Sequence, residues 1–159
     1  MPTSILFVCM GNICRSPMAE GVFLSILKRE RVENDYIIDS AGTLGFHQGE
    51  LPDRRMRLHA EKRNYFLTSM SRKFSRSDFE NFDLIIAMDD NNYEDLKELA
   101  YTKEESDKIH RMIEFSMEEK PTHIPDPYYG GDQGFEHVID LLEDACEGLF
   151  WYLQKPKNN

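Results

Sequence analysis

Ile5-Leu6-Phe7-Val8-Cys9-Met10-Gly11-Asn12-Ile13-Cys14-Arg15-Ser16-Pro17 decides how this chain folds. Its first four residues are an unbroken apolar run with β-branched and aromatic members. That is the pattern of a strand buried on both faces, as in parallel sheets. Pro17 suits the first turn of a helix, and Ser16 is placed to cap it. Met18, Val22 and Ile26, with Ala19, Phe23 and Leu27, recur at helical spacing and predict a helix to about Arg31.

The same alternation continues outward. Tyr36 to Ser40 reads as a second strand ended by Ala41-Gly42, and Thr43 to Asp53 as a loop rich in Gly, His, Gln and Pro. Asp53 to about Asn64 reads as a helix with Met56, His59, Ala60 and Arg63 roughly on one side. Asp83 to Met88 is a third strand, after which Asp89 or Asp90 caps a helix from about Asn91 to Ala100. Ile109 to Ile113 is a weaker fourth strand, and Pro121 to Gly134 a long loop. Phe135 to Leu153 is an amphipathic helix with Val138, Leu141, Leu142, Ala145, Leu149 and Tyr152 inward. Strands alternating with helices predict an α/β fold, a parallel sheet covered on both faces. No repeat, linker or low-complexity run divides the chain, so residues 1–159 read as one domain.

Bulk charge narrows the partners. A net charge of -10 over 159 residues argues against nucleic acid and against anionic membrane surfaces, which are bound by an excess of Lys and Arg. An anionic ligand must be caught by a local device. Three cysteines do not make a disulfide framework, and no apolar segment has the length of a signal peptide or membrane span. The expected compartment is a reducing cytoplasm. His47, His59, His110, His123 and His137 are scattered, without the spacing of a metal site, so no metal is expected.

Ligands of open α/β sheets bind beyond the carboxyl ends of strands, where Cys9 falls. The loop after it can turn backbone N–H groups inward as an anion nest, and the helix near Ser16 adds its N-terminal dipole. Both favour the thiolate of Cys9, a competent nucleophile. Arg15 completes a Cys-x5-Arg pattern. Its planar guanidinium can grip two oxygens of a phosphoryl group at once, which Lys cannot. Gly11 lets the backbone approach the ligand, Asn12 tolerates left-handed backbone, and the Ser16 hydroxyl can donate to the thiolate. Met10, Ile13 and Cys14 supply the remaining peptide groups of the cradle. A non-catalytic phosphate-binding module would have no need of the thiolate.

The run from Val8 to Glu20 resembles the signature of low-molecular-weight protein tyrosine phosphatases. The second signature of that family, Asp-Pro-Tyr-Tyr-Gly, stands here as Asp126-Pro127-Tyr128-Tyr129-Gly130. The resemblance runs from about Ser4 to Tyr152. It implies a four-stranded parallel sheet flanked by helices and no cofactor. It also implies a two-step hydrolysis in which Cys9 forms a cysteinyl-phosphate and Asp126 is general acid, then base. Phosphotyrosine proteins or small aryl phosphates would be the substrates, inorganic phosphate the product and competing ligand, and the chain a monomer or weak dimer. Cys14 matches the family's second loop cysteine, implying a reversible Cys9–Cys14 disulfide. Phe46, Tyr128 and Tyr129 resemble the walls of the substrate cleft.

Two stretches depart from the family. Asp53-Arg54-Arg55 replaces the common Asp-Pro-Arg, so Arg54 is expected to extend a basic rim near the cleft. Ser69 stands where relatives often have a His that supports the loop Asn, leaving the support of Asn12 open. Two other activities share this cradle. Protein arginine phosphatases commonly carry Thr at the position of Ile13, and arsenate reductases need a distant cysteine pair where this chain has only Cys146.

Overall fold

Thr3–Cys9 (β1) is an inner strand of a four-stranded sheet, paired in parallel with Tyr36–Gly42 (β2) on one side and Leu84–Ala87 (β3) on the other. Ile109–Arg111 (β4) adds in parallel to β3, giving the order β2-β1-β3-β4. The computed structural model describes residues 1–128 and 130–156. Between the strands run Arg15–Glu30 (α1), Arg54–Glu61 (α2), Asp78–Asn81 (α3), Asp90–Leu99 (α4) and Lys103–Asp107 (α5), and Asp132–Gln154 (α6) closes the chain. The parallel α/β fold is as the sequence predicts. No helix among the described residues is long and apolar enough to cross a membrane.

Period-two alternation along β1 sorts its side chains. Ile5, Phe7 and Cys9 join the core shared with α1 and α6, whereas Leu6 and Val8 pack with Phe79, Ile85 and Leu96 on the opposite face. Cys9 therefore leaves the sheet on the side where α1 begins.

Several boundaries differ from expectation. Ser16 does not cap α1. Cys14 occupies the cap position without a side-chain bond, and Ser16 lies inside the first turn. Its hydroxyl faces Cys9 and Asn12 instead. α6 begins at Asp132, because Gly134 is accommodated in its first turn. Tyr152 is 51% exposed, while Ile139, Cys146 and Phe150 are buried. The buried face is wide because α6 packs against both α1 and a 3-10 turn, Met112–Phe115, that ends β4 early. At that crossing Gly148 is required by space. A Cβ there would lie 1.8 Å from the carbonyl oxygen of Phe115.

Candidate active site

Four carbonyls that shape the loop after β1 are engaged from outside. The Cys9 and Met10 oxygens accept from the N–H groups of Thr43 and Leu44, both at 2.9 Å. The Gly11 oxygen accepts from the Ser71 hydroxyl at 3.0 Å, and the Ile13 oxygen from the Asp53 N–H at 2.8 Å. A trans peptide points its C=O and N–H in opposite directions. The N–H groups of Met10, Gly11, Asn12 and Cys14 are thus turned away from those partners. Gly42 makes the close approach possible, since a Cβ there would sit 2.7 Å from the Met10 oxygen and 3.1 Å from the Asn12 nitrogen.

Asn12 is the keystone of the turn. It is buried, has φ of 56°, and donates from Nδ2 to Ser16 Oγ at 2.8 Å. Its Oδ1 accepts from the Arg72 backbone N–H at 3.0 Å. Support thus comes from residues 71 and 72 and not from position 69. The Arg72 guanidinium is itself fixed between Asp39 and Asp78, at 3.0 Å from each. Ser16 Oγ lies 3.0 Å from Cys9 Sγ, within reach of a hydrogen bond to the thiolate.

Arg15 is 3% exposed and positioned by three groups. Nη1 donates to Asp89 Oδ2 at 2.6 Å and to the Ile124 carbonyl at 3.1 Å. Nη2 lies 3.6 Å from Asp126 Oδ2. Burial opposes the guanidinium charge, but Cys9, Asp89 and Asp126 outweigh it and raise the Arg15 pKa. Asp89 also caps α4, accepting from the Asn92 N–H at 2.8 Å. In the sequence it is legible as a cap, but its contact with Arg15, 74 positions away, is not.

Asp126 Oδ1 accepts from the Tyr128 N–H at 3.0 Å, which orients the carboxylate at the cavity mouth. Cys9, Arg15, Asp126, Phe46 and Tyr128 all line one cavity of about 250 Å³. Ile13, Cys14, Met10 and Gly11 contribute to it as well. Tyr129 lies outside the described residues. Cys14 is buried, and its thiol is pushed far up by that burial and then by Asp53, Cys9 and Asp126.

Three further neighbours carry no sequence signal of their own. Leu44 and His47 line the cavity beside Phe46, and His47 Nδ1 lies 2.5 Å from Glu50 Oε2. Beside the exposed Arg54, Arg55 meets the cleft. It donates to the Tyr128 carbonyl at 2.8 Å and sits over the Tyr128 ring at 5.3 Å.

Residues 4–159 match the family model described as low molecular weight phosphotyrosine protein phosphatase. A putative low molecular weight protein-tyrosine-phosphatase from Synechocystis is 43% identical over 151 residues, 95% of this chain and 96% of that protein. The crystal structure of a protein tyrosine phosphatase from Entamoeba histolytica superposes with a TM-score of 0.93 at 47% identity, covering 96% of this chain and 97% of that one. A Drosophila arginine phosphatase shares the fold at TM-score 0.89 and 29% identity, covering 96% and 99%.

Proposed function

Since the chain belongs to the low molecular weight phosphotyrosine protein phosphatase family, we propose that Cys9, Arg15 and Asp126 are the residues that carry its hydrolase chemistry. The observation that carries this assignment is their convergence on one cavity, with Asp126 held 3.6 Å from the Arg15 guanidinium. The phosphatase unit takes in the whole chain, 1–159.

In the first step the Cys9 thiolate attacks phosphorus and the bond to the aryl oxygen breaks. Asp126 gives its proton to that oxygen, so a neutral phenol leaves. Arg15 and the inward N–H groups hold the equatorial oxygens as charge spreads over them. In the second step water attacks the cysteinyl-phosphate and passes a proton back to Asp126. The P–S bond breaks and inorganic phosphate departs, free to return as a competing ligand. Ser16, 3.0 Å from Sγ, donates to the departing thiolate. Phe46 and Tyr128 make a slot suited to a flat ring.

Peroxide would convert Cys9 to a sulfenic acid. The neighbouring Cys14 thiol can then displace water and close a disulfide, which keeps the nucleophile recoverable. Three unpaired cysteines suit a reducing compartment such as the cytoplasm.

The test uses a series of aryl phosphates and phosphoarginine. Cys9→Ser should abolish turnover while still binding phosphate. Asp126→Ala should lose far more rate on poor phenol leaving groups than on good ones. Equal losses across the series would remove Asp126 as the acid. Faster turnover of phosphoarginine would reassign the substrate, although the apolar side chain of Ile13 offers a guanidinium no hydrogen bond.

A further inference from the structure

The chain is acidic overall, yet the segment from Arg54 to Arg63 holds five basic side chains and one acidic. Three of the five have local partners. Arg63 is held by Glu136, Asp140 and Glu143. Arg57 donates to the Pro52 carbonyl, and Arg55 pairs with Asp53. Arg54 and Lys62 are exposed and form no ion pair among the described residues. They stand four positions either side of Leu58, so the three share one face of the helix. Leu58 is 49% exposed between them.

This face is joined to the catalytic cleft. Arg55, Leu58 and Lys62 line a groove between α2 and the start of α6. The Arg55 guanidinium lies between the Tyr128 ring at 5.3 Å and the Phe135 ring at 4.9 Å, so one residue borders both cleft and groove. Glu61 and Asp132 also line the groove, and Asp132, 3.3 Å from His59 Nε2, stays exposed, so the basic surface is the outer face of the helix and not the groove. The helix is registered to the phosphate loop by the bond from the Asp53 N–H to the Ile13 oxygen.

We propose that the exposed face of α2, Arg54-Leu58-Lys62, docks an acidic segment flanking the phosphotyrosine of the protein substrate. The proposal rests on the phosphatase reading above and names the substrate's sequence context. Charge complementarity selects the occupant, and continuity through Arg55 places it on the same chain as the phosphotyrosine. From Arg54 to Lys62 the helix spans about 12 Å, a length that an extended peptide covers in roughly four residues. Two acidic side chains about four positions apart in the substrate therefore meet the two cations, with an apolar residue between them on Leu58. A local patch is needed because the rest of the molecule repels an acidic partner.

The test compares kcat/KM on phosphotyrosine peptides with an acidic block before the phosphotyrosine, an acidic block after it, or neutral flanks. p-Nitrophenyl phosphate serves as the unflanked substrate. One acidic-flanked peptide should exceed the neutral one several-fold at low salt, with the advantage shrinking at high salt. The double variant Arg54→Glu, Lys62→Glu should lose about threefold to tenfold on that peptide, through KM. The variant should keep its rate on p-nitrophenyl phosphate and the neutral peptide. Arg54→Gln, Lys62→Gln should fall between, which guards against a folding defect in the reversal. Equal kcat/KM on all three wild-type peptides overturns the docking surface. So does an equal loss by the variant on every substrate. Binding to phosphatidylserine vesicles that the variant loses, without any peptide preference, would assign the patch to a membrane instead. Failure of wild type to turn over even p-nitrophenyl phosphate would strike the phosphatase reading itself.

Discussion

Replacing Asp89 by Asn tests how much of catalysis depends on the anchoring of Arg15. One carboxylate oxygen accepts from Arg15 Nη1 at 2.6 Å, and the other caps α4 through the Asn92 N–H at 2.8 Å. An amide has only one acceptor oxygen, so either the cap or the guanidinium bond is lost, along with the charge. Removing one partner of a buried ion pair costs about 3–5 kcal/mol. Here the cost is smaller, because Asp89 is 20% exposed and Arg15 keeps the Ile124 carbonyl and Asp126. We take about 2 kcal/mol for the looser guanidinium, which corresponds to roughly 30-fold in rate. The loss should fall on kcat, because Arg15 grips the oxygens most strongly when charge has spread over them. Steady-state kinetics on an aryl phosphate measure it. Asp89→Ser separates the two duties: serine caps a helix well but is too short to reach Arg15. It should keep the α4 cap, so that any fall in its unfolding midpoint reports the lost ion pair alone, and should lose kcat as Asn does. If both variants keep kcat within about twofold of wild type, Asp89 does not position Arg15.

Three further outcomes follow from geometry elsewhere. Gly148→Ala gains about 1 kcal/mol of helix propensity, but the Cβ meets a backbone carbonyl at 1.8 Å. Overpacking of about 3 kcal/mol wins, so calorimetry should show the midpoint falling by about 4–8 °C, and an unchanged or higher midpoint would refute the contact. Glu20 is pushed above its ordinary 4.5 by burial, with Asp39 adding to it against the hydrogen bond from Ser40. The folded state therefore holds this proton more tightly, and the stability it contributes is present below the unfolded value and lost as pH rises through the folded one. In urea titrations Glu20→Gln should gain on wild type as pH rises above the ordinary carboxylate range, and a constant difference would exclude Glu20 as the cause. Mild peroxide should inactivate reversibly with a Cys9–Cys14 bond seen by mass spectrometry, whereas a sulfenic acid at Cys9 beside an unmodified Cys14 would count against the protective role.

What the sequence disclosed was local. Residues 9–16 are contiguous, so the strand before them and the helix after them fix the nucleophile and clamp without knowledge of the tertiary structure. Asp126 could be assigned only through resemblance, because an Asp-Pro pair alone is equally a turn. Asp89 and Arg55 escaped for a different reason: each acquires its role from a partner 73 or 74 positions distant. Arg54 is exposed beside Arg55, and only the tertiary structure shows that Arg55 reaches Tyr128. A single buried stripe on α6 predicts Tyr152 inward, whereas two packing partners shift the buried face to include Ile139, Cys146 and Phe150. α3 and α5, of four and five residues, are too short for periodicity to mark them.

The bond from the Arg72 N–H to Asn12 Oδ1 has a bearing on how this family can drift. The donor is a main-chain amide, and nineteen of the twenty amino acids carry one. The phosphate loop is thus insulated from mutation at the residue that holds it, with proline the one barred exchange. Selection at position 72 acts instead on the guanidinium's link between Asp39 and Asp78. The side chain at position 69 can therefore change without loosening Asn12, which makes it a poor guide to whether the loop is intact.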